Sequence, residues 1–79
     1  MIGARALIAQ LGRGFGYEII RQRGSHVRIR TLERGEHSIS VPNHSPLRVG
    51  TLAGIITDVA QHFGIDEEAV LRTIRGRAR

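Results

Sequence analysis

The spacing of apolar positions changes twice along this chain. Ala4, Leu7, Ile8 and Leu11 recur at helical intervals, with Arg5 and Gln10 elsewhere. Residues 4–13 are therefore expected to form a short amphipathic helix. Gly12, Gly14 and Gly16 follow, and glycine readily adopts the left-handed conformation that closes a helix. The stretch from Tyr17 to Arg23 then reads as a strand, and Gly24-Ser25 as a tight turn. Over residues 26–32 the alternation is strict. Val27, Ile29 and Thr31 face one way, and His26, Arg28 and Arg30 face the other. Glu33-Arg34-Gly35-Glu36 is a polar turn. Residues 37–41 form a third strand, with Ile39 and Val41 opposite Ser38 and Ser40. Pro42 is expected to end it, because proline has no N–H to give a ladder.

After a loop over residues 43–49 the helical period returns. Leu52, Ile55, Ile56, Val59 and Phe63 make one stripe, with Thr51 expected as the N-cap and Gly64 as the stop. A last helix should start at Asp66, where Glu67 and Glu68 suit the positive end of the helix dipole. Ile65 and Val70 have the spacing of a hydrophobic staple. The order is helix, three strands, helix, helix. Three strands joined by short turns make an antiparallel meander, whose apolar face the helices must cover. The expected class is α+β.

The chain has 79 residues, which implies one domain over residues 1–75 and a basic tail at 76–79. It contains no cysteine, so neither a disulfide nor a thiolate metal site is available. No apolar run reaches the length of a membrane span, and the N-terminus lacks a convincing signal-peptide core. A soluble, cytoplasmic protein is expected. The net charge is +5, and every one of the 12 basic residues is arginine. Its distribution is more informative than its size. Residues 13–48 carry seven arginines against Glu18, Glu33 and Glu36, whereas residues 49–71 carry four acids and no arginine. Segregated positive charge of this kind fits a polyanion-binding face. For the last arginines alone, a solvated tail is the simpler account.

Against that background His26 stands out. It follows a tight turn, with Arg21 and Arg23 before it and Arg28 and Arg30 after it. An imidazole exchanges protons near neutral pH, and a guanidinium binds phosphate with a permanently charged fork. The combination fits proton transfer at a phosphodiester. From the residues alone, a surface histidine engaged in a turn is the plainer explanation. Strict alternation also leaves some of the four arginines off the His26 face. The segment Arg48-Val49-Gly50-Thr51-Leu52 could bind an anion at a helix start, with Arg48 adding charge, or be an ordinary cap. His44 could contact a ribose or phosphate, or fix its loop. His37 and His62 receive no role. Paired metal-ligand spacing is absent, so neither a metal nor a small-molecule cofactor is expected. Phe15, Tyr17 and Phe63 read as core or turn residues rather than a base-stacking platform.

Gly16-Tyr17-Glu18-Ile19-Ile20-Arg21-Gln22-Arg23-Gly24-Ser25-His26 resembles the HicA-type mRNA interferase toxins, which show a Gly-aromatic start, an arginine and then Gly-Ser-His. Val41-Pro42-Asn43-His44 and Gly50-Thr51-Leu52 are similar to two further elements of that family, in the same order. The resemblance spans residues 4–65. Val27-Arg28-Ile29 departs from it where members often carry an aromatic, and lysine is missing altogether. It implies a fold like the double-stranded-RNA-binding domain, with a short extra C-terminal helix here. It further implies cleavage of mRNA with His26 essential, and a HicB-type antitoxin that blocks the site. Ser25, Arg21, Arg23, Arg28, Arg30, His44 and Arg48 are the candidate RNA contacts. Two other functions stay open: a non-catalytic RNA-binding module of the same fold, and an interaction subunit completed by a partner.

Overall fold

The structure is a computed structural model, and it describes residues 2–76. Six elements follow one another: α1 (Ala4–Phe15), β1 (Glu18–Arg23), β2 (His26–Thr31), β3 (His37–Pro42), α2 (Val49–Phe63) and α3 (Glu67–Gly76). The three strands form one antiparallel sheet in the order β1-β2-β3. The expected α+β arrangement, with helices flanking a meander, is therefore observed.

Alternation on β2 divides the sheet into two faces. Val27, Ile29 and Thr31 are buried, and Ile39 and Val41 of β3 join them. Leu7, Leu11 and Phe15 of α1, Ile55, Ile56, Val59 and Phe63 of α2, and Val70 and Ile74 of α3 complete a single core. Each such side chain contributes about 1.5–3 kcal/mol on full burial. All of this apolar cover lies on one face, so the other side of β2, carrying His26 and Arg28, stays exposed.

Several boundaries differ from the sequence expectation, each for a local reason. α1 runs two residues past Arg13, with Gly12 and Gly14 inside it. Gly14 is a close-approach position: a Cβ there would lie 3.0 Å from Thr73 Cγ2 on α3. Gly16 alone ends the helix, at φ 78°. Its N–H donates to the Gly12 carbonyl at 3.1 Å, the 5→1 bond of an αL closure, and the Tyr17 N–H reaches the Leu11 carbonyl at 3.5 Å. Pro42 is the last residue of β3 rather than the first beyond it. β3 is an edge strand, so the missing N–H leaves no ladder bond unmade. α2 begins at Val49 with Arg48 in the N-cap position, not at Thr51. The α3 start is as expected, because the Asp66 carboxylate accepts the Ala69 N–H at 2.8 Å. The expected basic tail begins on the last residue of α3, and residues 77–79 lie outside the described residues.

Candidate functional site

His26 opens β2 directly after the Gly24-Ser25 turn. Gly24 has φ 58°, a region that a side chain would strain. The turn is tied at its far side: the Ser25 carbonyl accepts the Asn43 N–H at 2.6 Å. His26 sits opposite Arg23 on β1 and Pro42 on β3. Its position is thus set by backbone on both flanks, while its imidazole is exposed to solvent.

The register of β1 decides which arginines share its face. Glu18 and Ile19 pair with Arg30 and Ile29, but Arg21 and Arg23 pair with Arg28 and His26. Ile20 is an extra residue, a β-bulge. Directly paired residues project to the same face. The bulge therefore shifts Arg21 and Arg23 onto the His26 side, where strict alternation would have put them with Ile19. Arg21, Arg23, His26, Arg28 and Ser40 line one cleft of about 230 Å³. Three guanidinium groups and an imidazole converge there without a carboxylate among the lining side chains.

The remaining candidates do not line this cleft. Arg30 lies on the same face but pairs with Glu36 at 3.7 Å and borders a separate hollow with Glu18 and Leu32. Ser25 contributes its backbone to the turn. Arg48 is exposed at the α2 cap. His44 lies in the loop, where its carbonyl accepts the Ala4 N–H at 2.9 Å. Ser40 is the lining residue that sequence reasoning passed over. Alternation put Ser40 on the face opposite Ile39 and Val41, but its place beside Arg28 follows only from the β2–β3 register.

A second cluster had no sequence signal. The rings of His37 and His62 stack with centroids 4.5 Å apart and planes 9° apart. The Tyr17 hydroxyl lies 2.8 Å from His37 Nδ1, and His62 Nε2 donates to the Glu33 carbonyl at 2.9 Å. Burial, and then the Asp58 charge, pushes the Tyr17 hydroxyl up from 10.0 to about 12. Burial, followed by the neighbouring His62, holds His37 below its usual range, against an opposing pull from Asp58. Among the described residues no group of three His, Asp or Glu side chains converges as a metal site. Nor is any helix there long and apolar enough to cross a membrane.

Residues 4–61 match the family model of the HicA toxin of bacterial toxin–antitoxin systems. The chain belongs to the HicA toxin family. No match was found among curated proteins or among solved structures. The matched span carries the whole sheet and most of α2, so the cleft of this HicA-family chain lies entirely within it. α3 lies beyond the match and supplies Val70 and Ile74 to the core. Membership assigns the chain a toxin role within a toxin–antitoxin pair.

Proposed function

We propose that this toxin is an endoribonuclease that cleaves mRNA at the sheet cleft without a metal ion. The observation that carries the reading is the convergence of His26 with Arg21, Arg23 and Arg28 on the open sheet face. A guanidinium fork matches phosphate geometry and is always charged. Three of them can hold one phosphodiester and offset the charge that builds on its equatorial oxygens. His26 then takes the proton from the adjacent 2′-hydroxyl. The 2′-oxygen attacks phosphorus, the bond from phosphorus to the 5′-oxygen breaks, and the leaving oxygen takes up a proton at this solvent-open site. The products are a 2′,3′-cyclic phosphate and a 5′-hydroxyl. A HicB-type antitoxin would silence the toxin by covering the same face. The three clustered arginines favour an acidic or otherwise complementary partner surface there.

Purified parent and His26→Ala proteins, incubated with RNA in chelator, test the assignment. The parent is expected to generate new 5′-hydroxyl ends. The variant should fall about 100-fold or more in rate, the usual weight of a general base. Cleavage by His26→Ala at the parent's rate would overturn the role.

A second reading follows from one feature of the site. Among the described residues no side-chain hydrogen bond orients the His26 imidazole, whereas general bases are commonly held by a third group. That favours a module that binds RNA and leaves it intact. Salt-sensitive binding by the parent, with full-length RNA recovered at saturation, would establish this reading instead.

A further inference from the structure

Beside the cleft a larger, shallow groove, of about 830 Å³, runs between β3 and the stretch of α2 from Gly50 to Asp58. Ser38 and Ser40 border it on the strand side, and Thr51, Gly54, Thr57 and Asp58 on the helix side. It also includes His26 and Arg28, which line the cleft as well, so the two spaces meet at the imidazole.

The chemistry changes across that junction. The cleft has three guanidinium groups and no acid among its lining residues. The groove beyond His26 and Arg28 combines the apolar side chains of Ile39, Pro42 and Ile55 with hydroxyls and one carboxylate, and has no further cation among its lining residues. A phosphate beside Asp58 would be repelled; only the Gly50–Thr51 end, at the start of α2, has free helix N–H groups to hold one. A ribose and a base edge fit better. Hydroxyls both donate to and accept from sugar oxygens, and a carboxylate accepts the ring and amino N–H groups of bases. Gly54 faces this open space: a Cβ built on it would meet nothing within 4 Å, so a longer side chain there would project into the groove.

We infer that the groove between β3 and α2 seats the ribose and base of a nucleotide adjoining the phosphate held at His26. The inference rests on the reading of the cleft as an RNA site and adds a subsite to it. The chain would cross the sheet with phosphates on the arginine side and one nucleoside on the hydroxyl side.

Two substitutions of different size at Gly54 test this. Alanine adds one carbon, and glutamine sends a longer side chain into the groove. Both are better helix formers than glycine, so both proteins should melt at or above the parent's temperature. Their affinities for a labelled, mixed-sequence single-stranded RNA are compared in the His26→Ala background, with intact RNA verified after each measurement. Gly54→Gln is expected to bind about tenfold or more weakly than Gly54→Ala, the weight of one bound nucleoside. Equal RNA affinities would overturn the inference, including the case in which Gly54→Gln weakens only the binding of a protein partner. Failure of the catalytic reading shows elsewhere, in a parent that does not cleave or a His26→Ala protein that does. The ratio between the two Gly54 variants decides the subsite in either case.

Discussion

Arg28 and Arg30 stand two positions apart on one face of β2 and have different surroundings. Arg28 lines the cleft with His26 and has no carboxylate among its cleft neighbours. Arg30 is already paired with Glu36 at 3.7 Å, in a solvent-exposed ion pair worth little to stability. Removing each should therefore have unequal effects on RNA. Arg28→Ala and Arg21→Ala are expected to lower RNA affinity about tenfold each, and to reduce the salt slope by about 0.7 for each phosphate no longer neutralised. Arg30→Ala should change affinity by less than about threefold, as expected for a screened surface charge. Fluorescence anisotropy over a salt series measures both quantities. Equal losses at Arg28 and Arg30 would mean that the face binds by diffuse charge rather than at a defined cleft.

The elements carry a different lesson, visible in Thr31. Its side chain is fully buried on β2, donates to the Phe15 carbonyl at 2.7 Å and accepts the Glu33 N–H at 3.1 Å. One hydroxyl thus joins the end of α1 to the end of β2. Thr31→Val keeps the shape and leaves both backbone groups without that partner. The cost should be about 1–3 kcal/mol. In a domain of this size that lowers the melting temperature by about 4 °C or more. An unchanged melt would show that water replaces the hydroxyl. The inward place of Thr31 was legible in the alternation of residues 26–32, because one period covers the whole strand. The β1 face was not. Tyr17, Ile19, Arg21 and Arg23 follow a perfect alternation, and only the pairing with β2 shows that Ile20 is extra. A bulge is a property of two strands, so one strand's pattern cannot reveal it. The helix starts illustrate the same limit. Asp66 caps α3 through its own side chain and could be read directly, whereas Arg48 precedes α2 with no side-chain cap bond to mark it.

At the scale of the whole molecule, segregation of charge along the sequence survives folding. The arginines of β1 and β2 gather on the open sheet face, while the acids of residues 49–71 sit on α2, α3 and the turn between them. Contacts between distant segments are what a linear reading lacks, and the stacked pair of His37 and His62 is the clearest case. That pair joins β3 to α2, and through the Glu33 carbonyl it holds the β2–β3 turn. Titration of His37 makes stability depend on pH with a definite sign. Burial, and then His62, lowers the His37 value in the folded state below its ordinary 6.5. Between the folded value and 6.5 the unfolded chain binds more protons, so stability is complete above pH 6.5 and is lost as pH falls through the folded value. Asp58 and the Tyr17 hydroxyl also face His37; Asp58 opposes the shift and limits it. At the alkaline end the sign reverses. The Tyr17 value is raised, so its contribution is complete below pH 10.0 and declines towards about 12. His62→Gln removes one cause of the acid shift and leaves burial in place. The parent should therefore lose more melting temperature than His62→Gln when pH is taken from above to below 6.5. Nuclear magnetic resonance titration of the His37 ring gives the same comparison directly, with a higher midpoint expected in the variant. Identical midpoints in the two proteins would mean that burial alone sets the His37 shift and that the stack carries no electrostatic cost.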